Sequence, residues 1–182
     1  MPTLFTHPII PVAIGIGLGK KFFSKQLIVI AAILSVLPDL DVIAFSFGIP
    51  YSSQFGHRGF THSLFFAAIF CLFLIAVLPN RIQGNKPKSF AFLFGAMASH
   101  GLLDMLTDGG LGIALFWPFT NERYFFLGYQ HVKVSPLGMN FFSEWGLNTV
   151  ISEFFWIWLP SILTAILLLA AVRISIRLRN RS

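Results

Sequence analysis

The chain has 182 residues, of which 55% are hydrophobic, 16% aromatic and only 11% charged, with a mean hydropathy of +0.76. A soluble domain carries roughly 25% charged residues, so this composition excludes an ordinary soluble enzyme and predicts a single polytopic membrane domain over residues 1–182. The net charge of +6 points to no nucleic acid: the basic residues fall in short runs between apolar stretches, as topology signals do, and the expected partner is the lipid bilayer.

The first apolar segment, 3–19, is short for a span. Its residues 8–19 cover about 18 Å as a helix against a hydrocarbon core of roughly 30 Å. No basic residue precedes it and no convincing cleavage site follows, so it reads as a retained, half-inserted helix rather than a signal peptide. Lys20, Lys21 and Lys25 come next. A second span, 27–49, is interrupted by Pro38-Asp39-Leu40-Asp41. Two residues along a regular helix turn about 200°, so Asp39 and Asp41 share a face only if Pro38 breaks the ladder and the chain kinks. The competing reading is that Asp39 caps a helix restart while Asp41 faces solvent.

Gly56-His57-Arg58-Gly59-Phe60-Thr61-His62-Ser63 opens the third span, 60–78. Gly59 lets one histidine sit on a turn and the other at a helix start. The single cysteine, Cys71, lies in this apolar run, which leaves no internal disulfide and no thiolate site. The fourth span, 90–108, carries His100, Asp104 and Asp108 at successive i, i+4 spacings. On one continuous helix these three share a face. Burying a carboxylate without a partner costs several kcal/mol, about as much as any single error in a fold, and a metal cation removes that cost. A polar stripe satisfied by its own hydrogen bonds is the alternative. Leu111 to Phe119 is apolar again and is expected to be re-entrant or interfacial. The region 120–153 is the longest polar stretch, where Glu122, Glu144, Glu153 and His131 are assigned to the surface. The last span is 154–172, with Trp156 and Trp158 as interfacial anchors.

Lys and Arg cluster at 20–25, 81–88 and 173–181. The positive-inside rule makes these ends cytoplasmic, and the spans then alternate without conflict. That alternation sends His7, Asp39, Asp41, His57, His62, His100, Asp104 and Asp108 to one depth, toward the periplasmic side. The expected fold is therefore an all-α integral membrane protein of four to five transmembrane helices, with a metal site in the outer half of the bundle. Imidazoles and carboxylates without thiolate suit Zn²⁺, with Mn²⁺, Fe²⁺ or Ni²⁺ allowed by ligand type, and their number allows one or two ions.

Thr6-His7, the Pro38–Asp41 stretch, the 56–63 block and Ser99-His100 through Asp104 to Asp108, together with Trp117-Pro118-Phe119 and Val134–Gly138, resemble the YdjM-like family of bacterial inner-membrane proteins. The resemblance implies metal-dependent hydrolase chemistry, through a distant kinship with zinc phospholipase C. Where some members carry a histidine after the Asp-x-Asp pair, this chain has Val42. The leading expectation is hydrolysis of a phosphoester or lipid-linked ester by metal-activated water. His7, Asp39, Asp41, His57, His62, His100 and Asp104 are the expected ligands. Asp108 is expected to take the proton of the water, Arg58 to neutralise charge on a phosphoryl oxygen, and Arg123 to bind substrate from the outer loop. The rivals are a metal or proton transporter, and a metal that only staples helices together.

Overall fold

The computed structural model describes residues 1–82, 84–126, 128–136 and 138–180. Short polar side chains set where most helices begin. Ser24 accepts from the Leu27 N–H (3.1 Å) at the start of α2 (Lys25–Leu34), and Ser63 from Phe66 (3.0 Å) at α3 (Leu64–Val77). Asn85 does the same for α4 (Lys86–Asp104) and Ser143 for α5 (Glu144–Glu153). Each such cap is worth about 1 kcal/mol. α1 (Ile9–Leu18) starts directly after Pro8. α5 passes through a wider π-helical turn, Phe154–Trp158, into α6 (Leu159–Arg179), so that 144–179 is one helical stretch.

Apolar residues three and four apart give each helix one face to bury. Leu27, Ala31 and Leu34 of α2 meet Ala67, Cys71 and Ile75 of α3 and Leu93, Ala96 and Met97 of α4. α1 joins through its small residues. A Cβ on Gly15 would lie 2.6 Å from Ile28, and one on Gly17 would lie 2.9 Å from Leu168, so both positions must be glycine for α1 to approach α2 and α6 this closely. α1 and α6 run parallel: the Trp158 indole donates to Thr6 Oγ1 at one end and Gly17 packs on Leu168 at the other.

Lys20, Lys21, Lys25, Arg81, Lys86, Lys88, Arg173, Arg177 and Arg179 gather at one end, where Lys88 sits 4.3 Å above the Phe22 ring. Arg181, part of the predicted C-terminal cluster, lies outside the described residues, as does Leu137. Among the described residues, two helical stretches, Lys25–Phe47 and Glu144–Arg179, are long and apolar enough to cross a membrane by length and composition. α1 and α3 are shorter apolar helices.

At the other end the helices break. The second predicted span does so at Pro38. In an α-helix the Asp39 N–H would bond to the Ser35 carbonyl; instead it bonds to Val36 O (3.2 Å), and the chain continues as a tighter 3-10 helix over Leu37–Phe47. The Ser35 carbonyl is thereby released. The predicted helix 90–108 ends at Asp104. Beyond it the chain pairs with a distant segment: Val132 N–H donates to Leu106 O (3.1 Å) and Asp108 N–H to Val132 O (3.0 Å). The stretch Leu111–Phe119 is irregular, with Ile113 and Ala114 fully buried and the Ala114 N–H bonded to Arg58 O. Two isolated bridges, Thr107–Val132 and Ile113–Tyr124, are the β-like pairings among the described residues, and no strand forms. The class is all-helical, as expected from the sequence.

Candidate metal centre

Three broken ends meet where α2, α4 and the start of α3 converge. His100 and Asp104 occupy the last turn of α4 one above the other, Asp39 stands on the 3-10 turn after Pro38, and His62 immediately precedes the Ser63 cap of α3. Among the described residues, one ligand atom from each of these four lies within 4.8 Å of the other three. His62 Nε2 and His100 Nε2 are 3.0 Å apart. His62 Nε2 is 3.2 Å from Asp104 Oδ2 and 3.8 Å from Asp39 Oδ1, and His100 Nε2 is 3.4 Å from Asp39 Oδ1 and 3.8 Å from Asp104 Oδ2.

The hydrogen bonds behind the rings decide what those atoms are. His100 Nδ1 lies 2.7 Å from the Ser35 carbonyl freed at Pro38, so it carries the hydrogen and Nε2 the lone pair. His62 Nδ1 lies 3.2 Å from Asp41 Oδ2, an acceptor, which gives His62 the same tautomer. Two lone pairs thus face each other at 3.0 Å beside two carboxylates. All four oxygens of Asp39 and Asp104 are buried and accept no hydrogen bond among the described residues. A cation bound among them, or a proton on His62 Nε2, makes this arrangement favourable. Ligand bonds of about 2.0–2.2 Å put neighbouring corners of a tetrahedron roughly 3.3–3.6 Å apart, and the observed separations straddle that value. Charge agrees too. The side chains of Asp39, Asp41 and Asp104 carry three negative charges against one from Arg58, with the Met1 amino group 4.0 Å from Asp104 Oδ1, so the centre favours an added cation.

Asp41 stands behind His62. Its oxygens accept from the Thr61 hydroxyl (2.6 Å), the Arg58 N–H (3.1 Å) and the His57 ring (2.7 Å), besides His62. Asp41, His57 and His62 form a second close group, but hydrogen bonds already fill the Asp41 oxygens. The arrangement is that of a carboxylate orienting a ligand histidine. The 3-10 turn thus lets Asp39 and Asp41 reach the two different nitrogens of one imidazole. His7, fully buried before α1, stacks on His100 (3.9 Å, 20°), with Nε2 3.6 Å from Asp39 Oδ2.

Arg58 is fully buried and adopts a left-handed backbone (φ 62), rare for a side chain this large. Its Nε lies 3.2 Å from Asp104 Oδ2, while Nη1 donates to Gly109 O (2.9 Å) and Nη2 to Thr107 Oγ1 (3.0 Å). The block 56–63 therefore supplies a ligand, its support and a counter-charge.

Three expectations are corrected. Asp108 does not continue the His100–Asp104 face, because the helix has ended; it pairs with Lys133 Nζ (2.8 Å) and the Val134 N–H (2.9 Å) at the surface. Arg123 does not offer its guanidinium to an outer-loop ligand. Its two terminal nitrogens donate to the carbonyls of Tyr51, Ser53, His57 and Gly112 and so lace the loops over the centre together. Glu153 is not a surface residue. It is wholly buried and accepts from Thr3 N–H and from the hydroxyls of Thr3 and Thr6 (2.6 Å each), holding the segment that ends in His7 against the π turn. A glutamate directly preceding a strongly apolar run, with two threonines just before His7, was the signal available. His131 stacks on Trp156, apart from the centre.

A helical membrane chain whose broken helix ends enclose buried histidines and carboxylates able to hold a metal is the class this defines. The chain belongs to the YdjM inner membrane protein family, which it matches over residues 1–179. It is 41% identical over 164 residues to the inner membrane protein YbcI of Escherichia coli (strain K12), covering 90% of this chain and 94% of that one. No solved structure matches it with significance.

Proposed function

We propose that this protein is a multi-pass, metal-dependent hydrolase of the inner membrane that cleaves a phosphoester, of a lipid or lipid-linked substrate, with zinc as the preferred ion. One observation carries the reading: the Nε2 lone pairs of His62 and His100 face the unbonded carboxylates of Asp39 and Asp104 at tetrahedral spacing. A divalent ion held here would supply a Lewis acid, and where a coordination position stays open it would acidify water at neutral pH and polarise a phosphoryl oxygen. The chain's own residues do the rest. Asp41 and the Ser35 carbonyl hold the two imidazoles in the ligand tautomer. Arg58 donates two of its five N–H groups to Gly109 and Thr107 and holds Nε 3.2 Å from Asp104 Oδ2 as an ion pair, and the second hydrogen on each terminal nitrogen is a donor suited to charge developing on phosphate. Lys20, Lys21, Lys25, Arg81, Lys86, Lys88, Arg173, Arg177 and Arg179 at the opposite end support, by the positive-inside rule, a centre toward the periplasm.

A second reading is favoured by the same burial. Four protein ligands closed around one ion is the habit of structural zinc, and the metal would then only staple the helix ends. Metal analysis of the purified protein, followed by turnover of phospholipids and polyprenyl phosphates, separates the two. The hydrolase reading expects bound zinc and metal-dependent release of phosphate or headgroup, lost on chelation and restored by zinc. Bound metal whose removal unfolds the protein, with no substrate turned over, supports the staple.

A further inference from the structure

A single ion held by Asp39 Oδ1, Asp104 Oδ2, His62 and His100 leaves buried polar atoms unexplained. His7 is fully buried, and neither of its ring nitrogens has a hydrogen-bond partner among the described residues. Stacking on His100 covers one face of its ring and leaves its edge nitrogens unsatisfied. Asp39 Oδ2, 3.6 Å from His7 Nε2, and Asp104 Oδ1, which has the Met1 amino group 4.0 Å away, are likewise buried without a hydrogen bond. Each such atom costs on the order of what a lost hydrogen bond costs, and a cluster of them is rare in a folded chain. Glu153 meanwhile fixes the turn bearing His7 through Thr3 and Thr6, so the histidine is held in place rather than left over.

We propose that a second divalent cation binds on the His7 side of the two aspartates, held by His7 Nε2, Asp39 Oδ2 and Asp104 Oδ1, with both carboxylates shared between the two ions. This rests on the metal-dependent reading above and names what that site takes. The first ion meets four protein ligands and has no position to spare. The second meets three, one nitrogen and two oxygens, and retains open positions, which is the mark of a catalytic rather than a structural ion. The ligand balance shifts toward oxygen, so this position accepts Mn²⁺ as readily as Zn²⁺. Charge then specifies the substrate class. One divalent ion neutralises the site side chains; two leave an excess of at least two positive charges, with the Met1 amino group beside Asp104 Oδ1 adding to it, which an anionic phosphoester balances and a neutral carboxylic ester does not. Two cations sharing carboxylates are also the arrangement that serves in-line displacement at phosphorus.

The test is Mn²⁺ titration of the purified full chain, stripped of metal, read by binding stoichiometry and by electron paramagnetic resonance, with inorganic phosphate as the anion probe. Two equivalents are expected, the second producing an exchange-coupled spectrum. In H7A and H7Q, one equivalent should remain, with the uncoupled six-line signal of a lone ion. That retained equivalent also reports that the variants are folded. Phosphate should tighten the second equivalent by roughly 5- to 150-fold, the usual range of coupling between two ligands, and leave the first unchanged. Saturation of the wild type at one equivalent overturns the second position and leaves the metal reading standing, as does a second equivalent that survives both His7 variants. A second equivalent indifferent to phosphate overturns the anionic substrate class. Wild-type protein that binds no metal overturns the metal reading itself, and this inference with it.

Discussion

The two ends of the bundle use the same helices in opposite ways. At the basic end α2, α3 and α4 keep unbroken hydrogen-bond ladders and touch through Leu27, Cys71, Leu93 and their neighbours. At the acidic end, which holds all seven Asp and Glu residues of the chain, the ladders are interrupted at Pro38, at Gly59 and after Asp104. Each interruption yields something an intact helix lacks: a free carbonyl at Ser35, two aspartates aimed at one imidazole, a guanidinium folded back onto Asp104. Irregular backbone at membrane depth is tolerated where it is enclosed by protein. Here it is enclosed, and it builds the centre. The difference separates residues that hold the helices together from residues that could hold an ion.

That separation is broken most directly by one substitution at each end. His100→Ala removes a ligand of the first ion from α4, and the purified protein should lose at least that equivalent of metal, while the protein still inserts. Leu93→Ala, two turns away on the same helix, opens a cavity costing about 2–5 kcal/mol. It should lower the thermal midpoint and leave the metal equivalents unchanged. Metal loss in Leu93→Ala equal to that in His100→Ala would show that the two ends are one cooperative unit and erase the comparison.

How far the sequence reveals this division depends on the kind of constraint. Apolar periodicity and Lys/Arg clustering locate the regular helices and their alternation, because those are properties of each segment taken alone. The ligand tetrad Asp39, His62, His100 and Asp104 is also visible, since a carboxylate or imidazole in an apolar run demands a partner wherever it lies. What the sequence conceals is which partner. Nothing local separates Asp39 from Asp41; the 3-10 turn that points them at opposite nitrogens of His62 depends on contacts with the 56–63 block. The helix period runs smoothly through Asp108, yet pairing with Val132, far along the chain, ends the helix at Asp104. Arg123 and Glu153 mislead for the same reason. A charged residue in a polar region reads as solvated until the carbonyls or threonines that surround it are known.

The Asp39–Asp41 distinction predicts an intermediate effect. Asp41 touches no other member of the tetrad directly; it fixes the His62 tautomer and, with Thr61, the tilt of the ring. Removal of such an orienting carboxylate typically weakens metal binding 10- to 100-fold. Asp41→Ala should therefore titrate with zinc to the same end point as the wild type at higher free metal. Complete loss of binding would make Asp41 a ligand and move the centre toward His57.

The smallest effect is expected at Asp108, on the side of the helix break that faces away from the centre. Partial burial pushes its carboxyl up, but the Lys133 ammonium and the Val134 N–H outweigh burial and hold it below the usual carboxylate range. A carboxylate whose pKa is lower folded than unfolded contributes stability that is present above its unfolded value of about 4 and lost as pH falls through the folded one. Lys133 is exposed, so the contribution is screened and slight. Asp108→Asn should lower the thermal midpoint at pH 7 by no more than about 2 °C, with the gap to the wild type closing below about pH 4 and metal content the same at neutral pH. The comparison between variants is what matters, because acid strips metal from both alike. If Asp108→Asn instead lost metal at pH 7 as His100→Ala does, the face of α4 would have to continue through Asp108 in the working protein, and the break after Asp104 would cease to mark the edge of the centre.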